Sequence, residues 1–147
     1  MLDTDPSDSD QASVRTLGTN RILVAEDNPT NQKLIVWQLT LLGYKSEVVA
    51  NGTLAFARWK VGAFDLLITD LHMPEMNGYE LAAAIRASEP QGARIPILAM
   101  TASSMGEEAD HARMVGMNEY LMRPLHLAKL RAALLKWLPP ESDVVGG

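Results

Sequence analysis

Five short segments with strand character alternate with five segments that carry helix signals, and this alternation constrains the fold of the chain. The aliphatic run at 22–25 ends at Glu26-Asp27, and the run at 64–69 ends in a similar way at Asp70. Short apolar runs of this kind are typical of parallel strands that are buried on both faces. The alternation therefore predicts an α/β fold, with helices on both faces of a five-stranded parallel sheet. The other strands are expected at 45–49, 95–100 and 120–122.

Residues that start and stop helices lie between these strands. Asn28-Pro29 offers an N-cap followed by proline in the first turn, and Gly43 is a typical residue after a helix end. Pro139-Pro140 ends the last helix, because proline cannot continue one. The five helices are predicted at about 28–43, 51–61, 78–88, 107–115 and 126–138.

The negative charge of the chain lies at its ends. The net charge is −5, yet residues 21–140 carry 12 acidic and 12 basic side chains. We interpret residues 1–20, which are rich in Asp, Ser and Thr, as a flexible acidic linker or leader, and residues 139–147 as a disordered tail. Residues 21–138 are then one folded, neutral domain without the basic face that phosphate neutralisation requires, so we expect no nucleic acid as a partner.

Composition excludes two further classes of protein. The chain contains no cysteine, which rules out disulfide scaffolds and thiolate metal sites. No apolar run approaches the roughly 18 residues of a membrane span, so we expect no direct membrane contact by this chain.

Polar residues with complementary chemistry follow the predicted strands. They are Glu26, Asp27, Asp70, Thr101 and Arg123. Ligands of open α/β sheets collect at the carboxyl ends of the strands, so we expect these side chains to meet. Three carboxylates without Cys or His are a donor set that suits Mg²⁺. A hydroxyl and a guanidinium opposite the metal would recognise an anion, and together these groups meet the requirements of phosphoryl transfer.

Four strings resemble the receiver domain of two-component response regulators. They are ILVAEDN at 22–28, LITDLHMPEMNG at 67–78, ILAMTA at 97–102 and YLMRP at 120–124, and the resemblance extends over about residues 20–138. It implies a three-layer, flavodoxin-like (βα)5 fold with strand order 2-1-3-4-5. The stretch at 28–32 is similar to receivers of hybrid sensor histidine kinases of the BvgS type. This likeness implies that the chain is the cytoplasmic part of a membrane-bound sensor kinase.

The resemblance assigns roles to the residues at the strand ends. Asp70 would be the phosphoacceptor that takes a phosphoryl group from the phosphohistidine of a partner, such as a histidine kinase core, and the domain would relay it to a histidine phosphotransfer domain. Mg²⁺ would be held by Glu26, Asp27, Asp70 and the backbone carbonyl of His72. Thr101 would bind a phosphoryl oxygen and Tyr120 would act with it as a conformational switch. The resemblance also implies that the domain catalyses its own aspartyl phosphorylation and dephosphorylation.

Residues beside this site would tune it or bind a partner. By position in the family, His72, Ala102 and Ser103 would modulate the lifetime of the phosphoryl group. The first helix has more apolar residues than one buried stripe requires, which predicts an exposed patch around Val36, Trp37 and Leu41. In this family a histidine phosphotransfer domain docks beside that helix. The expected docking residues are Asn31, Ile35, Val36 and Pro124, and the alternative is that Trp37 is buried beside the last helix.

Arg123 departs from the family pattern, which has lysine at this position. Arginine keeps the charge but is longer and planar, so altered chemistry is expected. The peptide bond to Pro124 is expected to be cis, as in the family. Three alternatives remain: a phosphorylation-independent pseudo-receiver that binds a partner, a haloacid-dehalogenase-like phosphatase, and a flavin-binding relative. The phosphatase family requires an aspartate where this chain has His72, and no phosphate-binding loop precedes the first helix.

Overall fold

The computed structural model describes residues 20–102 and 106–138. The predictions for the leader and the tail, and for Ser103, lie outside the described residues, apart from residue 20. Among the described residues, no helix is both long enough and apolar enough to cross a membrane.

Five parallel strands form one sheet in the order β2-β1-β3-β4-β5, as expected. The strands are β1 (Arg21–Ala25), β2 (Lys45–Val49), β3 (Leu66–Asp70), β4 (Ile97–Thr101) and β5 (Glu119–Met122). In the register of the central strands, Ala25 lies beside Thr69 and Asp70 lies beside Met100. The residues that follow β1 and end β3 are therefore at the same edge of the sheet.

Five helices connect the strands, and asparagine caps three of them. They are α1 (Pro29–Leu41), α2 (Gly52–Val61), α3 (Gly78–Ser88), α4 (Gly106–Met114) and α5 (Leu127–Trp137). Asn28 accepts a hydrogen bond from the N–H of Asn31 at the start of α1, and Asn51 caps α2 in the same way. At α3, Asn77 and Glu80 form a reciprocal capping box.

The sheet separates two apolar clusters, which makes the domain a three-layer sandwich. Leu23 and Leu67 point to the face covered by α2, α3 and α4, where Ile85 packs against them. Ile22 and Ile68 point to the opposite face, which is covered by α1 and α5. Adjacent strand residues thus alternate between two buried faces, and the strands read as continuous apolar runs for this reason.

Strands β3 and β4 each begin two residues later than predicted and include the polar residue expected to follow them. Asp65 precedes the strand: its side chain accepts a hydrogen bond from the N–H of Arg21 at 2.8 Å, and its own N–H donates to the carbonyl of Arg21 at 2.8 Å. Pro96 has no N–H to donate, so β4 starts after it. Because β3 and β4 also end one residue later than predicted, Asp70 and Thr101 lie within the hydrogen-bonded sheet, which holds their backbones in place.

Gly78 allows the start of α3 to approach the end of β3. A Cβ at this position would lie 2.3 Å from the carbonyl oxygen of Asp70 and 3.0 Å from the Cα of Leu71. The N–H of Gly78 donates to the carbonyl of Leu71 at 3.0 Å, which locks the turn between the two elements. Only a residue without a side chain fits here.

We predict that Gly78→Ala lowers the free energy of unfolding by about 1–3 kcal/mol, because backbone atoms must move to accommodate the methyl group. Urea denaturation measures the loss. The matched control is Gly106→Ala at the first residue of α4, where a Cβ would have no atom within 4 Å and stability should not fall. Equal losses in the two variants would contradict the packing argument.

Candidate functional site

Three carboxylates meet at the carboxyl edge of the sheet. Glu26 and Asp27 directly follow β1, and Asp70 is the last residue of the neighbouring strand β3. One oxygen from each of the three side chains lies within 4.8 Å of the others. Glu26 is 0% exposed and Asp70 is 8% exposed, whereas Asp27 faces solvent. The residues expected to hold a metal are therefore together in space.

The start of helix α1 holds Glu26 in place. One carboxylate oxygen of Glu26 accepts a hydrogen bond from the backbone N–H of Asn28 at 2.9 Å. The side-chain amide of Gln32 donates to the backbone carbonyl of Glu26 at 2.6 Å. Both contacts follow from the position of α1, which begins three residues after Glu26.

The guanidinium of Arg123 lies between the two buried carboxylates. Its Nη2 contacts Oε1 of Glu26, and its Nη1 lies 3.3 Å from Oδ1 of Asp70. The backbone N–H of Arg123 donates to the carbonyl of Thr101 at 2.7 Å, which anchors this residue beside β4. The bond between Arg123 and Pro124 is cis, as the family resemblance implies. Arginine thus spans two carboxylates at once, which the single ammonium of lysine does less readily.

Burial is the main influence on the charges of this cluster. It raises the pKa of the Asp70 carboxyl, and the negative charge of Asp27 acts in the same direction. Backbone N–H groups of His72 and Leu71 oppose the rise by donating hydrogen bonds to Asp70, the first of them at 3.4 Å. Burial also lowers the pKa of Arg123. The ionised cluster therefore requires a cation in contact with it.

Glu108 on helix α4 joins three of the residues singled out in the sequence. Its Oε1 accepts a hydrogen bond from the hydroxyl of Thr101 at 3.2 Å and from that of Tyr120 at 3.4 Å. Its Oε2 lies 2.9 Å from Nε2 of His72. The contact with His72 is the main cause that lowers the pKa of the Glu108 carboxyl. Sequence reasoning did not identify this residue, because an acid in the first turn of a helix is also an ordinary stabiliser of that turn.

An apolar groove of about 370 Å³ lies next to the carboxylate cluster, between α1 and the loop after β5. It is lined by Asn31, Leu34, Ile35, Gln38, Met100, Ala102, Arg123, Pro124 and Leu125. The side-chain amide of Gln38 donates to the carbonyl of Leu125 at 2.7 Å and connects the two sides of the groove.

The docking residues expected from the sequence differ in exposure. Val36 and Pro124 are exposed and Asn31 is half-buried, but Ile35 is only 2% exposed. Ile35 belongs mainly to the core, where it packs in the same cluster as Leu39, and it reaches the groove only as part of its wall. The expectation that Ile35 is a surface contact is corrected for this reason.

The outer face of α1 carries the predicted apolar patch. Trp37 is 59% exposed, and Val36 and Leu41 are also exposed. The alternative that Trp37 is buried beside the last helix is wrong, because Ile35 and Leu39 supply the buried stripe of α1.

We predict that Arg123→Gln destabilises the metal-free protein by about 3–5 kcal/mol, because Glu26 and Asp70 lose the cation that compensates their buried charges. Urea denaturation in the presence of a chelator at neutral pH measures the effect. Arg58→Gln is the control, since the side chains of Arg58 and its partner Glu47 are 40% and 31% exposed, against 19% and 0% for Arg123 and Glu26, and its loss should have a much smaller effect. Equal losses of stability in the two variants would show that the contacts of Arg123 with Glu26 and Asp70 contribute no more to stability than the pair of Arg58 and Glu47.

Comparison with known proteins identifies the family. Residues 22–135 match the family described as the response regulator receiver domain. The chain is 40% identical to the hybrid signal transduction protein dokA of Dictyostelium discoideum over 83% of the chain and 7% of that protein. It is 39% identical to the virulence sensor protein BvgS of Bordetella bronchiseptica over 78% of the chain and 10% of that protein. The chain therefore spans about a tenth or less of the length of these relatives.

Solved structures agree with this result. One match is the receiver domain of the sensor histidine kinase PA1611 from Pseudomonas aeruginosa, which has a magnesium ion in its active site cleft. It has a TM-score of 0.74 and 36% identity, and the match covers 80% of this chain and 96% of that one. A second match is a co-crystal structure of the histidine phosphotransfer protein Ypd1 of Saccharomyces cerevisiae with the receiver domain of its downstream response regulator Ssk1. It has a TM-score of 0.73 and 29% identity, and the match covers 80% of this chain and 88% of that one. The chain thus belongs to the receiver domain family of two-component signalling.

Proposed function

We propose that this receiver domain accepts a phosphoryl group from a phosphohistidine onto Asp70 and passes it on within a phosphorelay. The observation that carries the proposal is the position of Asp70 at the end of a central strand. Its carboxylate lies within 4.8 Å of two others and 3.3 Å from the guanidinium of Arg123. A nucleophilic carboxylate next to a cation and a metal-binding donor set is what aspartyl phosphorylation requires.

In the transfer, an oxygen of Asp70 forms a bond to phosphorus while the bond between phosphorus and the histidine nitrogen breaks. The leaving nitrogen keeps the electron pair of the broken bond. Asp70 must be ionised to attack, and contact with Arg123 favours that form although burial opposes it. Arg123 and the hydroxyl of Thr101 are the donors that would neutralise the charge on the phosphoryl oxygens.

The residues present fit a magnesium ion. Glu26, Asp27 and Asp70 offer oxygen atoms within 4.8 Å of one another, and the backbone carbonyl of His72 would complete the set. When bound, Mg²⁺ would neutralise negative charge on the carboxylates and the phosphoryl group. A bound magnesium ion in the similar PA1611 receiver supports this assignment.

Thr101 and Tyr120 would report phosphorylation to the rest of the domain. Both hydroxyls contact Glu108, so a change at Thr101 alters the surroundings of Tyr120. Such a coupled set biases an equilibrium between two conformations. His72, Ala102 and Ser103 are proposed to set how fast water removes the phosphoryl group.

One observation favours the second candidate, a pseudo-receiver that binds partners without being phosphorylated. Arg123 already pairs with Glu26 and Asp70, and a guanidinium that remained there would hold the site in one conformation. The two functions differ in whether Asp70 is modified.

We predict that acetyl phosphate labels the protein on Asp70 when Mg²⁺ is present, that a chelator abolishes the label, and that Asp70→Asn removes it. Intact-mass spectrometry and radiolabelling measure the product. Arg123→Lys should be labelled about tenfold more slowly than the natural protein, because the ammonium contacts fewer phosphoryl oxygens. If neither form is labelled at Asp70, the phosphoacceptor function is wrong and the pseudo-receiver is favoured.

The origin and the partner of the domain follow from its relatives and its surface. Similarity to proteins named hybrid signal transduction protein and virulence sensor protein supports an origin in a hybrid sensor histidine kinase. The cytoplasmic side of that kinase is proposed from the family resemblance alone. The partner would be the kinase core, a histidine phosphotransfer domain, or both in turn. The proposed docking surface consists of Asn31 and Pro124, which line the groove together with Ile35, and of the exposed residue Val36 on the same helix as Asn31. The complex of Ypd1 with a similar receiver supports a phosphotransfer partner.

We predict that Val36→Glu weakens binding of the cognate histidine phosphotransfer domain by about tenfold, because it places a charge in an apolar contact. An NMR titration measures the affinity and maps the surface. Val61→Glu at the end of α2 is the control, since Val61 is also exposed but lies on another helix, and it should bind like the natural protein. Chemical-shift changes confined to α4 and β5 would contradict the proposed surface.

A further inference from the structure

Helix α4 carries two adjacent glutamates that differ in their contacts with the site. Glu107 is exposed, whereas Glu108 is half-buried and contacts side chains from three other parts of the fold. These are Thr101 at the end of β4, Tyr120 in β5 and His72 after β3. Both glutamates lie in the first turn of α4, so a general stabilisation of that turn would apply to both. Only Glu108 is connected to the residues that would respond to phosphorylation.

The contact between Thr101 and Glu108 competes with the proposed role of Thr101. A threonine hydroxyl has one hydrogen to donate. In this structure the hydroxyl lies 3.2 Å from Oε1 of Glu108, and Thr101 is the donor of this hydrogen bond because a carboxylate oxygen can only accept. A phosphoryl oxygen on Asp70 that accepted the same hydrogen would require Thr101 to turn away from Glu108.

The negative charge of Glu108, like its hydrogen bond with Thr101, opposes the binding of a phosphoryl oxygen to the Thr101 hydroxyl. A phosphoryl oxygen within hydrogen-bond distance of the Thr101 hydroxyl at its present position would lie at most about 6 Å from Oε1 of Glu108, given the 3.2 Å contact. Two anions at that separation repel each other, and the repulsion is strongest where water is excluded.

We propose that Glu108 is a positioning residue that stabilises the unphosphorylated form of this receiver. Its carboxylate holds Thr101, Tyr120 and His72 in one arrangement and must release Thr101 when Asp70 is phosphorylated. The free energy of that release sets how readily the domain reaches its phosphorylated conformation. The inference rests on the proposed function of Asp70 as phosphoacceptor.

The test uses the full chain and beryllium fluoride, which mimics a phosphoryl group on a carboxylate in the presence of Mg²⁺. Two-dimensional NMR of the backbone amides of Thr101 and Tyr120 measures both the affinity and the conformation. We expect Glu108→Gln to bind beryllium fluoride about threefold to tenfold more tightly than the natural protein, because one restraining charged hydrogen bond is lost. Before any ligand is added, the Thr101 and Tyr120 signals of this variant should already be displaced toward their bound positions.

Glu107→Gln is the matched control, since it removes the same charge from the same helical turn. A purely structural role of the first turn would lower the melting temperature of both variants and leave both affinities unchanged. Glu108→Asp keeps the charge but withdraws it by one methylene, and it should bind with intermediate affinity. This variant also provides the test if Glu108→Gln does not fold.

The outcomes separate this inference from the function on which it rests. If the natural protein binds beryllium fluoride and Asp70→Asn does not, but Glu108→Gln and Glu108→Asp match the natural protein within about twofold, Glu108 does not restrain the site. If the natural protein shows no binding that depends on Asp70, the phosphoacceptor function fails, and the inference fails with it.

Discussion

The rest of the structure depends on two buried carboxylates at neighbouring strand ends. Glu26 and Asp70 lie within 4.8 Å of each other and of a third, exposed carboxylate. Such a group of anions is costly unless donors and cations compensate it. The compensating groups come from three places in the fold: the N–H of Asn28 before α1, the N–H of His72 after β3, and the guanidinium of Arg123 after β5. The site therefore requires that β1, β3 and β5 are assembled in one sheet.

The unphosphorylated domain uses the same donors that the proposed phosphorylated form needs. Arg123 is engaged by Glu26 and Asp70 on one side of the site, and Thr101 is engaged by Glu108 on the other. In the proposed function, the oxygens of a phosphoryl group on Asp70 would compete for both donors and exchange one set of contacts for another. Such an exchange is how phosphorylation would bias an equilibrium between two conformations.

Much of this arrangement could be predicted from the sequence. The alternation of strands and helices predicted the parallel sheet. The polar residues at the strand ends predicted that Glu26, Asp27 and Asp70 lie together, since the carboxyl ends of parallel strands share one edge. The strand order came from the family resemblance. The starts of β3 and β4 were predicted two residues early, because apolar periodicity does not register a side chain that binds a neighbouring backbone, such as that of Asp65, or the missing N–H of Pro96.

By itself, the sequence determined which residues end the strands, because local propensity and apolar patterning act over neighbouring residues along the chain. The tertiary structure decided which of the longer side chains meet. Arg123 contacts Glu26 across 97 residues of sequence, and Tyr120 reaches Glu108 only because α4 packs beside β5. The burial of Ile35 was decided in the same way, by the rotation of α1 against the sheet, since a helix with apolar residues on several faces does not specify which face is covered.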